Sequence, residues 1–185
     1  LEVALSEITK VVAGGKKVLF VGTKKQAKDI VRTAAQEVDQ PFVTERWVGG
    51  TLTNSKTVGA QIKHMQQLEN KMASGDLEKR YNKLEVQRYG EEISELNKKY
   101  GGIKNLEGKP GIVFVTDILS DANAVREAKK LDIPVVAVVD TNADPSDIDY
   151  VIPGNDDAIK GISLILDYVK KAVLEGQAAV KKETK

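Results

Sequence analysis

The spacing of hydrophobic positions changes along the chain, and each change marks an element. Over residues 1–13, Leu1, Leu5, Ile8 and Val12 recur at spacings of four, three and four, which is one face of a helix. Gly14-Gly15 ends it. Val18-Leu19-Phe20-Val21 is an unbroken apolar run, the pattern of a buried strand, and Gly22 breaks it. Thr23-x-x-Gln26 then reads as a capping box at the start of a helix, with Ala27, Ile30, Val31, Ala34 and Val38 on its apolar face. Pro41-Phe42-Val43-Thr44 is a second, shorter strand candidate. Ile112–Val115, Pro134–Val139 and Tyr150–Ile152 follow as further strands. Between the first two of these lies a helix with Ala124, Val125, Ala128 and Leu131 inward. Asn155 is placed to cap the last helix, with Asp156 and Asp157 in its first turn and Ile159, Ile162, Leu166, Val169 and Val173 as its buried stripe.

Strand–helix alternation of this kind predicts an α/β fold, a parallel sheet with helices on both faces. One stretch departs from it. Residues 59–105 offer no strand. Ile62, Met65, Leu68 and Met72 lie on one helical face that Gly75 ends, and a short piece, Leu77–Tyr81, follows. Asn82-x-x-Glu85 is a capping signal, and Val86, Tyr89, Ile93, Leu96 and Tyr100 alternate spacings of three and four, a heptad seam that Gly101-Gly102 stops. The pattern predicts an antiparallel helical hairpin, inserted after the second strand, its charged faces projecting into solvent. The expected domains are a core of residues 1–58 and 106–176, an inserted coiled-coil hairpin at 59–105, and a polar, flexible tail at 177–185.

Composition narrows the chemistry. The 185 residues include no cysteine, which excludes disulfides, zinc–thiolate sites and cysteine nucleophiles, and suits a reducing cytosol. The single histidine, His64, falls on the charged hairpin and is expected to be exposed. No apolar run approaches the roughly 18 residues of a membrane span. The net charge of +1 hides an asymmetry: residues 1–109 carry +5 and residues 110–185 carry −4. A basic front half points to a polyanion partner.

In an open parallel sheet, ligands collect at the carboxyl ends of the strands. Gly22-Thr23-Lys24-Lys25 lies at such an end and before a helix N-terminus, a plausible phosphate site, although neither Walker nor dinucleotide spacing is present. The bland reading is a capped turn with solvated lysines. Arg46–Asn54 packs the only Trp, two glycines, two threonines and an asparagine into nine residues. These can hydrogen-bond phosphate and ribose oxygens, or simply build a loop in which Trp47 anchors the core and Thr53 or Asn54 caps the next helix. Asp117 and Asp140 both follow strands, as magnesium-binding or phospho-accepting aspartates do. Against that, a receiver-type site needs an acidic pair after the first strand, where this chain has Thr23 and Lys24.

Several strings together resemble one family: VLFVGTKKQA, ERWVGGTLTN, GGIKNL, VREAKKLDIPVVAVVDTN and DYVIPGNDDAIK, in order, from about Leu1 to Gly176. They are similar to the bacterial-type small-subunit ribosomal protein number two family. The resemblance implies a flavodoxin-like five-stranded parallel sheet of order 2-1-3-4-5 with an inserted helical hairpin. It implies a non-enzymatic, cytoplasmic constituent of the small ribosomal subunit, monomeric there, without cofactor, metal or membrane contact. The implied partners are small-subunit ribosomal RNA and neighbouring ribosomal proteins, including the large messenger-binding ribosomal protein number one in bacteria. The family's usual N-terminal segment, with its glycine–histidine motif, does not precede Leu1, so a trimmed chain is expected. Asp132 stands in a turn where the family usually has Gly, Asn or a basic residue. On this reading the RNA-binding residues are Thr23, Lys24, Lys25 and Lys28 beyond the first strand, and Arg46, Thr51, Thr53, Asn54 and Lys56 beyond the second. The runner-up readings are a flavodoxin-like magnesium-dependent enzyme or phosphoacceptor using Asp117 and Asp140, and a coiled-coil interaction module for which the sheet is only a platform.

Overall fold

The computed structural model describes residues 1–183. Five strands, β1 (Val18–Val21), β2 (Phe42–Val43), β3 (Ile112–Val115), β4 (Val135–Val139) and β5 (Tyr150–Pro153), form one parallel sheet in the order β2-β1-β3-β4-β5. This is the flavodoxin-like arrangement. The register sets Phe20 beside Phe42 on one side and Phe114 on the other, with Phe114 beside Val136. The helices are α1 (Glu2–Ala13), α2 (Lys28–Glu37), α3 (Ser55–Ala73), α4 (Asp76–Arg80), α5 (Lys83–Tyr100), α6 (Ala122–Lys130) and α7 (Ile159–Glu183), with a 3-10 turn at Gly101–Ile103.

Strands β1, β3 and β4 are apolar at every position because both of their faces are covered. Val18, Phe20, Ile112, Phe114, Val136 and Val138 pack with Ile8 and Val12 of α1, Val31 and Ala35 of α2, and Ile162, Leu166 and Val169 of α7. The alternate residues Leu19, Val21, Val113, Val115, Val135, Ala137 and Val139 face Ala124, Val125 and Ala128 of α6, Trp47 and the base of the hairpin. Full burial of side chains of this size stabilises by about 1.5–3 kcal/mol each. The Phe20 and Phe114 rings meet at 5.6 Å between centroids, tilted. Helices α1 and α7 approach closely at Gly176, where a Cβ would stand 2.7 Å from Val12 Cβ and from the Thr9 carbonyl. The Thr9 hydroxyl donates to the Ala172 carbonyl across the same seam.

The hairpin forms as α3 and α5. Asn82 and Glu85 make a reciprocal capping box at the start of α5. Met65 and Leu68 are buried, with Ile62, Tyr89 and Ile93 packed partly against them. Its base, Val58, Leu96, Tyr100 and Ile103, belongs to the same cluster as the sheet face. His64 is exposed, as expected, and lies 2.8 Å from Glu92 across the two helices.

Four details differ from the sequence reading. Leu1 and Ile159 stand exposed at helix starts (45% and 52%), and Ala4 takes Leu1's place beside Ile8 and Val12. Helix α2 begins at Lys28 rather than Thr23, and its N-terminus has no side-chain cap, because the Thr23 hydroxyl is drawn to another loop. Asn155 does accept from the Asp157 and Ala158 amides, but Asp156 and Asp157 precede α7 rather than lying in its first turn. Beyond Gly176, α7 continues as helix to Glu183, with the Gln177 amide donating to the Val38 carbonyl at 2.7 Å; Thr184 and Lys185 of the expected tail lie outside the described residues. Asp132 adopts φ +55°, the left-handed conformation that explains why Gly or Asn suits this helix-ending turn.

Candidate functional site

Parallel pairing of β1 with β2 and β3 brings the loops after these strands to one edge of the sheet. Lys24, in the loop after β1, extends its ammonium into the crevice between that loop and the loops after β3 and β5. There it meets Asp156 at 2.8 Å, Asp157 at 2.7 Å and Asp117 at 3.4 Å. Asp117 and Asp156 are almost fully buried. Burial pulls the Lys24 ammonium toward neutrality, but hydrogen bonds to Asp156 and Asp157 and the nearby carboxylate charges outweigh it, so its pKa lies well above the ordinary lysine value. Asp117 is further satisfied by the Leu119 and Ser120 amides and the Ser120 hydroxyl. Burial would raise its pKa, yet these donors and Lys24 hold it below the ordinary value.

Asp121, also in the loop after β3, is 1% exposed and accepts from the Thr23 amide at 3.1 Å and the Thr23 hydroxyl at 2.8 Å. Burial pushes its pKa up to about 6; the Thr23 bonds oppose that shift and the charge of Asp117 adds to it. The structure thus uses Thr23 and Lys24 to tie three loops together.

The loop from Trp47 to Thr53 is organised by one carboxylate. Glu127 of α6, partly buried, accepts from Trp47 Nε1 (3.0 Å), the Gly50 amide (2.7 Å), the Leu52 amide (2.9 Å), the Thr53 amide (3.1 Å) and the Thr53 hydroxyl (3.1 Å). Burial works against its charge, but Trp47 and the backbone donors prevail and keep it below the ordinary glutamate range. Trp47 is buried, the packing anchor expected of it. Thr51 is buried too, its hydroxyl donating to the Val48 carbonyl, and Asn54 caps α3 by accepting from the Thr57 amide.

The predicted residues therefore divide. The segments after β1 and β2 meet: Lys28 of α2 reaches Glu45, beyond β2, at 3.1 Å, and Arg32 pairs with the same carboxylate. These bonds, led by the one from Lys28, hold the Glu45 pKa below the ordinary value. Thr23, Lys24, Lys28, Thr51, Thr53 and Asn54 all bond other groups of the chain with their polar side-chain atoms, Thr53 and Asn54 doing so at the surface. Lys25, Arg46 and Lys56 are exposed and make no ion pair among the described residues. Asp117 and Asp140 have different partners: Asp117 meets Lys24 and Ser120, whereas Asp140 accepts from the Thr141 amide and hydroxyl, as a turn-forming aspartate does. Among the described residues no cluster of His, Cys, Asp or Glu could hold a metal ion. A cavity of 490 Å³ lies away from the crevice, between β2 and the hairpin base, lined by Arg32, Phe42, Asn97, Lys98, Gly102 and Lys104 among others.

Glu127 escaped sequence reasoning, although its signal was there. It occupies an inward position, three after Ala124 and four before Leu131, so it is an acid on an otherwise apolar stripe.

Residues 1–176 match the family model described as ribosomal protein S2. Among curated relatives, the chain is 47% identical over 182 residues to the small ribosomal subunit protein uS2 of Oleidesulfovibrio alaskensis, covering 98% of this chain and 69% of the relative. It is 48% identical over 170 residues to the protein of the same name from Roseiflexus sp., covering 92% and 64%. The counterpart from Dehalococcoides mccartyi is 43% identical over 181 residues, covering 98% and 74%. The chain thus spans roughly two thirds to three quarters of the length of these relatives.

Proposed function

This chain belongs to the ribosomal protein S2 family, a family of structural rather than enzymatic proteins, and from that premise we propose that it serves as a structural constituent of the small ribosomal subunit, supporting translation by binding ribosomal RNA. The observation that carries the reading is what occupies the crevice. An enzyme of this fold class would leave the carboxyl edge open to a ligand; here Lys24 and its three carboxylates fill it. Recognition then falls to the groups outside it.

Lys25, Arg46 and Lys56 are the cations to which phosphates would bind, the lysines as point charges and Arg46 as a forked donor. The Thr and Asn side chains of the second loop act by shaping it. The relatives' names place them in the small ribosomal subunit. We extend to this chain a position on that subunit in the cytoplasm, as a single copy, beside other ribosomal proteins including the large messenger-binding protein number one. Among the described residues no helix is long and apolar enough to cross a membrane.

The test is filter binding to small-subunit particles assembled without this protein, across a salt series. Removing Lys25, Arg46 and Lys56 together should weaken binding and lower the magnitude of the log–log salt slope by about 0.7–0.9 for each phosphate that is no longer neutralised. Lys170→Ala/Lys171→Ala, on α7 in the acidic half, where Lys170 is ion-paired with Glu37 and Asp167, should leave the slope unchanged. A slope that responds to the α7 pair and not to the first three would place the RNA face elsewhere.

A further inference from the structure

Glu127 sits on α6, in the acidic half of the chain, yet its carboxylate collects five donors from the loop that carries Arg46 on one flank and Lys56 on the other. Resting on the RNA-binding reading above, we propose that Glu127 is a positioning residue for that interface: a partly buried anion that holds the loop so that the cation preceding it, Arg46, is presented in one geometry.

Glu127 both satisfies the loop's inward donors and pre-organises the loop. The amides of Gly50, Leu52 and Thr53 and the Trp47 indole all point inward at one carboxylate, so the loop closes around a single acceptor rather than around a strand or helix partner. Charge-assisted bonds of this kind are about twice as strong as neutral ones. Arg46 directly precedes the first residue held, and Asn54, the cap of α3, directly follows the last. Fixing Trp47 to Thr53 therefore fixes where the Arg46 backbone leaves the core and where α3 begins. A flexible loop carrying the same charges would have to be ordered on binding, at an entropic cost for each immobilised side chain.

The proposal makes a prediction opposite in sign to simple electrostatics. Glu127→Gln removes a negative charge from beside an RNA-binding surface, which on charge alone should tighten binding. The amide keeps one acceptor oxygen but turns the other into a donor facing donors, so the loop loosens and binding should weaken.

The experiment is a double-mutant cycle with the full chain, measured by filter binding to small-subunit particles assembled without it. In the parent protein Arg46→Ala should weaken binding about tenfold, the effect of removing one well-placed charge-assisted hydrogen bond. Glu127→Gln should weaken it comparably, and Arg46→Ala added to Glu127→Gln should cost less than about twofold more, because the arginine is already misplaced. Lys25→Ala, on the other loop, should cost the same factor with or without Glu127. A general loss of folded protein would affect Lys25 and Arg46 alike, so this specificity separates positioning from a merely structural role.

Far-UV circular dichroism and a cooperative thermal transition report whether each variant is folded. If Glu127→Gln does not fold, Trp47→Phe removes only one of the five donors, and the Arg46→Ala cost should then fall part-way. The proposal is overturned if Glu127→Gln tightens binding, or if Arg46→Ala costs the same in every background while still weakening the parent. If Arg46→Ala has no effect even in the parent, the RNA reading of this loop fails, and the positioning role falls with it.

Discussion

Lys24 and Lys25 are adjacent in sequence and opposite in role. Lys24 turns inward, where it is the counter-ion of Asp117 and Asp156, whose side chains are 4% and 5% exposed; Lys25 is exposed without an ion pair among the described residues. Lys24→Met should leave those carboxylates uncompensated and destabilise by about 3 kcal/mol, as breaking a buried pair does, lowering the Tm by about 10 °C in a chain this size. Lys25→Ala should leave the Tm within a degree or two and act only on RNA affinity. Thermal denaturation of the two variants side by side checks this. Asp121 gives a pH prediction. Its folded pKa of about 6 lies above the ordinary aspartate value, so the folded protein binds a proton that the unfolded chain releases between about pH 4 and 6. Stability from this group is therefore present at acid pH and lost as pH rises through that window. Asp117 and Glu127, with lowered values, act in the opposite sense: their contribution is lost only as pH falls below about 4.5. Asp121→Asn keeps an acceptor for Thr23 but cannot ionise. Relative to the parent, it should gain about 2 kcal/mol between pH 4 and pH 7, measured by urea unfolding at the two pH values. A constant difference would show that Asp121 does not titrate in that range.

At the scale of elements, the hairpin is a local structure with a non-local root. Its outer part is held by the capping box at Asn82, the packing of Met65 and Leu68 and the facing partial burial of Tyr89 and Ile93. Its root, Val58, Leu96, Tyr100 and Ile103, lies in the sheet's core. Replacing residues 60–94 with a short linker should therefore leave a cooperative thermal transition, because closing the loop costs little. Extending the deletion to residue 104 removes Leu96, Tyr100 and Ile103 and should destabilise the sheet by several kcal/mol, each large-to-small change in a core costing about 2–5 kcal/mol. If the shorter replacement abolishes the transition, the hairpin is not a separable element. The 3-10 turn at the root has a further duty. Gly102 lies flat against the carbonyl and ring of Phe42, covering the outer edge of β2, which as an edge strand would otherwise be open to pairing with another chain. Gly102→Ala has no room there, since backbone rather than a flexible side chain stands in the way. It should cost about 1–3 kcal/mol and promote association at high concentration, read by light scattering.

For the whole molecule, the sequence divides its charge between a basic front half and an acidic rest, and the structure spends part of the basic half internally, Lys24 on Asp117, Asp156 and Asp157 and Lys28 on Glu45. Calorimetry with magnesium, ATP or GTP should detect no micromolar binding, which would correspond to about −8 kcal/mol, because the protein's own ammonium occupies the crevice; binding that disappears in Asp117→Ala would revive a catalytic reading. Much of the architecture was legible residue by residue. The apolar runs at 18–21, 112–115 and 135–139, rich in β-branched residues and too short for a helix, read as strands buried on both faces. The heptad seam and the Asn82–Glu85 box specify a hairpin from positions three to four residues apart, and the right-handed crossover rule limits how parallel strands can be ordered. The candidate site was less legible, for the same reason in reverse. Whether Lys24 binds phosphate or aspartate is decided by Asp156 and Asp157, some 130 residues away. Thr53 is likewise claimed by Glu127, and the helix that Thr23 would have capped starts four residues late because Asp121 takes its hydroxyl. Periodicity records which face of an element is buried, a property of near neighbours; which polar group finds which partner at a loop-bearing edge depends on how distant loops are brought together, and only the tertiary structure decides that.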